Sequence, residues 1–188
     1  YTPEPNLISV PTLRLDADGV AGIDERGEIV PDVHNATHPQ TKFRGDNGLS
    51  IGFTGHYAAM RSRFGDHLVD GIAGENMVVA YDEIVSLDEI APGIVIVGGG
   101  NELRIGSWDV AHPCAPFSRF CLRFPADAKP DRRVTEALQF LENGTRGFPA
   151  VYGSDLPPVE LRVGDVVYAV DELSDSCSSP DSISSTGP

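Results

Sequence analysis

Residues 94–105, IVIVGGGNELRI, indicate the fold more clearly than any other stretch of the chain. β-Branched and apolar residues flank the four residues GGGN at 98–101, a composition typical of a hairpin turn. The stretch therefore predicts two antiparallel strands, at residues 94–97 and 102–105. Residues 108–111 predict a further strand, which delivers the chain to His112-Pro113-Cys114.

Short strands and two helices are predicted on either side of this hairpin. The strands are expected at residues 7–10, 13–15, 27–30, 77–81, 148–152, 159–163 and 166–170. One helix is predicted at 54–65, with Thr54 as its N-cap and Gly65 after its last turn. The other is predicted at 131–143, where Asp131 precedes apolar residues at helical spacing. Many short strands and few helices predict a mainly β domain that closes, or nearly closes, into a barrel.

Two segments carry no predicted helix or strand. Residues 34–48, HNATHPQTKFRGDNG, lack periodicity and predict a long loop, a feature that is often functional in compact domains. Residues 171–188, DELSDSCSSPDSISSTGP, contain few apolar residues and predict a disordered tail. The sequence thus predicts a single domain over residues 1–170, followed by the tail.

Composition excludes several classes of function. The formal net charge of -14 argues against binding to nucleic acid, which needs clustered Lys and Arg. No apolar run approaches the ~20 residues that a membrane span needs. The three cysteines form no C-x-x-C pair, and the first residues do not have the layout of a secretory signal. A reducing, cytoplasmic location is therefore expected, without a zinc ribbon.

Three motifs taken in order give the chain a family resemblance. They are GENMVV at 74–79, HPC at 112–114, and NGTRGF at 143–148 followed by LRVGDVV at 161–167. Over roughly residues 7–170 this order resembles the MOSC domain, named for the C-terminal domain of molybdenum cofactor sulfurases. The chain departs from the family's usual basic, His-Gly-rich segment, since it has HNATH at 34–38 and KFRGD at 42–46.

The resemblance implies a fold and a chemistry. The fold is a β-barrel of the pyruvate-kinase-insert type. The chemistry centres on a cysteine, here Cys114, that either ligates molybdenum in a pterin cofactor (molybdopterin) or carries a transferable sulfur. Family members include amidoxime- and hydroxylamine-reducing molybdoenzymes and domains fused to a pyridoxal-phosphate desulfurase.

The chemistry of a thiol suits both roles of Cys114. A thiolate is a soft ligand for a sulfur-ligated metal, and it is also the nucleophile that accepts sulfane sulfur as a persulfide. Both roles need partial exposure and nearby positive charge, for which Arg119, Arg123 and Arg146 are candidates. A buried structural cysteine is the alternative. Cys121 has apolar neighbours and is expected in the core, although a redox pair with Cys114 stays open.

Cofactor-binding residues are expected in two of the motifs. Glu75 and Asn76 would line the pocket in family terms, or else only shape a turn. Arg146 stands between glycines and would suit the pterin phosphate, or else the C-terminal dipole of the preceding helix. Arg119 is a further candidate cation for the cofactor.

Other polar residues are weaker candidates for the site. Lys42 and Arg44 share one loop and would bind the same phosphate, or else lie in solvent. His112 is a candidate proton partner for the neighbouring thiol. His56 and Tyr57, near the start of a helix, could point into a pocket.

Three functions remain open from the sequence. A molybdoenzyme would reduce an N-hydroxylated small molecule with electrons from a partner protein. A sulfur carrier would be loaded at Cys114 by a sulfur donor such as a cysteine desulfurase and would pass the sulfur to an acceptor. A non-catalytic module would use the barrel only to bind a small molecule or a protein.

Overall fold

The computed structural model describes residues 7–125, 129–153 and 155–170. Within these residues the protein is mainly β, with few helices, as the sequence predicts. The strands are β1 (Thr12–Asp16), β2 (Gly19–Ile23), β3 (Ile29–Pro31), β4 (Leu49–Phe53), β5 (Met77–Val79), β6 (Ile94–Gly98), β7 (Asn101–Ile105), β8 (Phe148–Ala150), β9 (Val159–Arg162) and β10 (Val166–Ala169). The helices are α1 (Thr54–Phe64), α2 (Leu87–Ile90), α3 (Ala115–Cys121) and α4 (Arg132–Leu141). The predicted tail at 171–188 lies outside the described residues.

The predicted hairpin is present and anchors one sheet. β6 and β7 pair antiparallel up to Gly98 opposite Asn101, and both glycines of the turn, Gly99 and Gly100, have positive φ. Such angles match the twist of a two-residue hairpin loop, which is why the glycine run is decisive. β10 pairs with the other edge of β6 and gives the order β10-β6-β7.

A second sheet contains four strands in the order β3-β2-β1-β9. β2 was not predicted, because its sequence GVAGI is small and almost wholly buried and shows no alternation of apolar and polar residues. The strand expected at 7–10 is wrong, since the chain there is largely exposed and forms no ladder. The strand expected at 27–30 is shifted to Ile29–Pro31.

The third sheet, β5-β4-β8, positions the residues that follow the hairpin. β4 and β5 run parallel and are joined across α1, whereas β4 and β8 are antiparallel. The other side of β8, together with the residue before it, receives two backbone hydrogen bonds, from Asp109 N to Pro149 O and from Ala111 N to Gly147 O, both of 3.0 Å. The predicted strand at 108–111 is therefore only an extended segment, but β8 holds it and so fixes where Cys114 lies.

Two helix predictions fare differently. Asp131 caps α4 by accepting a hydrogen bond from Arg133 N at 2.9 Å, as expected. Thr54 does not cap α1, because it is the first helical residue and its hydroxyl is engaged by the backbone of Tyr81. α2 and α3 have four and seven residues, too few to show a helical period in the sequence.

Two groups of buried side chains hold these layers together. The larger group joins the strands and includes Leu15, Ile51, Ile94 and Phe148. The smaller group, hereafter the helical cluster, lies under α1, α3 and α4 and comprises Tyr57, Met60, Leu68, Ile72, Ala73, Phe117, Cys121 and Leu141. Strands of all three sheets contribute to the larger group, and their closure into one barrel stays a prediction. Among the described residues, no helix has the length and apolar character needed to cross a membrane.

Candidate functional site

Cys114 lies where the extended segment turns into α3. Its backbone is extended, and its carbonyl accepts a hydrogen bond from Ser118 N at 3.0 Å, which begins the helix. The thiol is half-buried against the helical cluster and is not in a disulfide. Cys121, by contrast, is fully buried, as predicted, and burial raises the pKa of its thiol to about 12. Of these two thiols, Cys114 is the one with access to solvent.

A guanidinium group lies beside the thiol of Cys114. Nη1 of Arg146 is 3.8 Å from Sγ of Cys114 and donates to the carbonyl of His112 at 2.9 Å. Nη2 donates to the carbonyl of Ala73 at 3.3 Å, and the guanidinium carbon is 5.1 Å from the centre of the Phe117 ring. Arg146 is thus fixed by two carbonyls and a ring, with its guanidinium group beside the thiol.

The half-buried carboxyl group of Glu75 lies close to Gly147, the residue after Arg146. Glu75 accepts a short hydrogen bond of 2.5 Å from the Tyr57 hydroxyl, which itself accepts one from Ala73 N at 3.2 Å. Burial raises the pKa of Glu75 to about 7, although the Tyr57 hydrogen bond and the charge of Arg146 act in the opposite direction. The group is therefore poised to exchange a proton near neutral pH.

Asn76 faces a different set of polar groups. Its backbone N–H donates to the Ser50 hydroxyl at 3.0 Å, and its side-chain oxygen accepts from the same hydroxyl at 3.1 Å. Burial pushes the pKa of Asp32 upward, but hydrogen bonds from His34 and Asn76 outweigh this and lower it. The two residues that the sequence groups as one motif, Glu75 and Asn76, thus lie in separate polar clusters.

Comparison with known families gives one match. A family model described as the MOSC domain matches residues 39–168, which is more than half of the chain. The chain belongs to the MOSC domain family. Comparisons with curated proteins and with solved structures give no match. The matched region contains Glu75, Cys114 and Arg146, the three groups just described.

The other residues predicted for the MOSC site are spread more widely. The side chain of His112 is exposed, and its carbonyl rather than its ring contacts Arg146. Arg119 is half-buried on α3, with its guanidinium carbon 5.6 Å from the centre of the Phe124 ring. Lys42 and Arg44 are exposed on the long loop.

Tyr57, which bonds Glu75 in this site, could hardly be identified as a site residue from the sequence. Tyr57 is completely buried, and it meets Glu75 from a position 18 residues away in the chain. His56 is also buried and does not line the site, because its Nε2 accepts a hydrogen bond from Val85 N at 2.9 Å. The position of Tyr57 near the start of a helix suggests a nearby pocket, but nothing in the sequence indicates that Glu75 is its hydrogen-bond partner.

Proposed function

We propose that this MOSC-domain protein handles the molybdenum cofactor or its sulfur through the thiol of Cys114. The observation that supports this most strongly is the guanidinium of Arg146, held 3.8 Å from Sγ. A thiolate is both the nucleophile and the metal ligand, and cysteines that react in these ways lie in partly exposed sites beside positive charge. The family association with molybdenum cofactor biology gives this thiol its context.

As a sulfur carrier, Cys114 would react by thiol exchange. Its thiolate attacks the outer sulfur of a donor persulfide, such as that of a cysteine desulfurase. A new S–S bond forms at Cys114, the S–S bond of the donor breaks, and the donor leaves as a thiolate. The product is a Cys114 persulfide, and no net oxidant is needed because the sulfane sulfur moves at its own oxidation level. Arg146 would lie beside the persulfide anion and stabilise its charge.

As a molybdenum ligand, Cys114 would supply a single soft donor. In the parts of the chain that the structure describes, no three His, Cys, Asp or Glu side chains converge on a possible metal position. One thiolate suits a metal whose cofactor supplies the remaining sulfur ligands, so the donor set fits molybdenum in its pterin. When bound, that group would provide the redox chemistry for reducing an N-hydroxylated substrate with electrons from a partner protein.

The other candidate residues differ in how well they are placed to bind the cofactor. Arg146 already donates to two backbone carbonyls, so it serves the thiol better than a phosphate. Lys42 and Arg44 are exposed and would be available for the pterin phosphate. Glu75 and Asn76 would contribute to the cofactor pocket from two different places, Glu75 beside Tyr57 and Asn76 beside Ser50.

One set of protein samples distinguishes the sulfur-carrier role of Cys114 from its role as a molybdenum ligand. The full chain, Cys114→Ser and a control, Cys177→Ser, are made in a host that synthesises the cofactor. Cys177 is the cysteine of the predicted tail at 171–188. Elemental mass spectrometry gives molybdenum per chain. Peptide mass spectrometry after incubation with a desulfurase and cysteine detects a gain of ~32 Da per sulfur atom at Cys114.

Each outcome has a distinct meaning. Near-stoichiometric molybdenum that only Cys114→Ser loses supports the ligand role. A persulfide on Cys114, without molybdenum, supports the carrier role. If wild-type protein gains neither, the proposal is wrong and the domain is a module that binds without reacting.

A further inference from the structure

One face of the sheet β10-β6-β7 is rich in exposed apolar side chains. Side chains alternate between the two faces of a strand, and those of Ile94, Ile96 and Ile105 point into the larger core group. The opposite face, hereafter the outer face, carries Val95, Val97, Glu102, Arg104, Val166 and Tyr168. Val97, Val166 and Tyr168 are 39%, 49% and 56% exposed. Apolar side chains that are exposed next to one another mark an interaction surface, whereas single scattered ones are ordinary.

The strand register sorts the outer face into two rows that cross the three strands. The first row contains Val166, Val97 and Glu102, and the second contains Tyr168, Val95 and Arg104. One residue separates the rows along each strand, so the rows lie about 6.8 Å apart. Each row runs from apolar residues on β10 and β6 to a charged residue on β7, and the charges of the two rows have opposite sign.

We propose that the outer face binds a second copy of this chain and forms a two-fold symmetric dimer. The two-fold axis lies in the plane of contact, midway between the two rows and parallel to them. Rotation about this axis places each strand on its counterpart in the opposite direction. The first row of one copy therefore meets the second row of the other, as an isologous interface requires.

The two charged residues favour a second copy as the occupant of this face. Glu102 of each copy meets Arg104 of the other, which gives two symmetry-related pairs of opposite charge. A nucleic acid or an anionic membrane would attract Arg104 but repel Glu102. The chain carries a formal net charge of -14, so two copies repel each other at long range. A contact face whose charges balance adds attraction without adding to this repulsion.

The apolar residues of the outer face match in the same arrangement. Val97 meets Val95 of the second copy, and the smaller Val166 meets the larger Tyr168. These contacts remove exposed apolar surface from water, which is the main favourable contribution to association. Six side chains from each copy form a small contact, below the roughly 1,200 Å² of a standard interface, so we expect a dissociation constant on the order of 10 µM.

The test measures the mass of the full chain in solution by sedimentation equilibrium, from about 1 to about 300 µM, a range that brackets the expected dissociation constant. The wild type should change from 20.1 kDa, the mass of one chain, towards twice that mass. Glu102→Arg and Arg104→Glu each reverse one charge on the outer face. Glu25→Arg and Arg26→Glu make the same changes at exposed positions between β2 and β3 and serve as matched controls. Thermal unfolding verifies that each variant is folded.

Each single variant of the outer face should dimerise at least about tenfold more weakly, because two attractions become two repulsions. Glu102→Arg should do so although it makes the chain less negative, so its loss of dimer reports the contact and not general repulsion. An equal mixture of Glu102→Arg and Arg104→Glu should associate again, since opposite charges then meet at both positions. The double variant, with both substitutions in one chain, should associate on its own, and the matched controls should behave as wild type.

Three results would overturn the inference. If the wild type keeps the mass of one chain over the whole range, the outer face does not bind a second copy. If the wild type dimerises and neither charge reversal weakens the dimer, another surface forms it. If both reversals abolish the dimer and their mixture stays monomeric, Glu102 and Arg104 do not meet across the two-fold axis. The measurement needs no cofactor or sulfur donor, so its result is independent of the function proposed for Cys114.

Discussion

Replacing Glu75 by Gln should change how the stability of the protein depends on pH. In the unfolded chain this carboxyl group titrates near the ordinary glutamate pKa of 4.5, whereas burial raises the pKa to about 7 in the folded protein. Between these values the folded protein holds a proton that the unfolded chain releases. The wild type should therefore lose stability as the pH rises from 4.5 to 7, and the Gln variant, which has no proton to lose, should not.

The size of the effect follows from the two pKa values. The gap between 4.5 and about 7, taken at roughly 1.4 kcal/mol for each pKa unit, corresponds to about 3 kcal/mol. The free energy of unfolding of the wild type, relative to Glu75→Gln, should fall by that order between pH 4.5 and 8. Comparing the two proteins cancels the titration of groups that both contain, such as His56 and Asp32.

Urea unfolding followed by circular dichroism, at half-unit steps of pH, provides the measurement. Glu25→Gln serves as the control, because its carboxyl group is exposed. The reasoning would be refuted if the difference in unfolding free energy between wild type and Glu75→Gln changed by less than about 1 kcal/mol between pH 4.5 and 8, since that change is less than one pKa unit. It would mean that the carboxyl group stays hydrated in the folded protein.

Three further substitutions test the site and its supports. Arg146→Gln should lower persulfide loading of Cys114 by a desulfurase by about threefold to tenfold, because the incoming anionic sulfur loses a neighbouring positive charge; unchanged loading would contradict the role assigned to this contact. Gly147→Ala should destabilise the protein by at least about 2 kcal/mol more than Gly45→Ala, since both have positive φ but only Gly147 abuts a carbonyl; equal losses of free energy in urea unfolding would argue against this crowding. Asp131→Ala should cost about 1 kcal/mol by removing the N-cap of α4, also measured by urea unfolding, and no loss would show that the cap contributes nothing.

Local signals in the sequence were reliable where the structure depends on local geometry. The hairpin at 94–105 could be predicted because its turn needs positive φ at two successive residues, and glycine supplies it. Asp131 could be predicted because an N-cap bonds an amide only two residues away. β2 could not, since its strand character comes from pairing with β1 and β3 on both sides. Thr54 failed as a cap because a distant backbone, that of Tyr81, engages its hydroxyl.

The same division applies to the candidate site. Cys114 could be singled out because a thiol after proline, within an ordered set of motifs, is a recognisable pattern. Its contact with Arg146 spans 32 residues, and that of Tyr57 with Glu75 spans 18. Contacts across such distances are set by how the helices pack on the sheets, so residue type alone left Arg119, Arg123 and Arg146 as equal candidates for the cation beside Cys114. Glu75 and Asn76 are neighbours in the chain, yet Glu75 meets Tyr57 and Asn76 meets Ser50, partners that only the fold brings near.

Arg146 joins three parts of the chain, the segment ending at Ala73, the segment at His112 to Cys114, and its own loop. The conformational entropy of these segments is therefore lost when the protein folds and not when a ligand arrives. A sulfur donor or a cofactor meets a preorganised thiol, and the association free energy is not reduced by ordering loops. Loosening Arg146 would consequently weaken binding even for a ligand that never touches it.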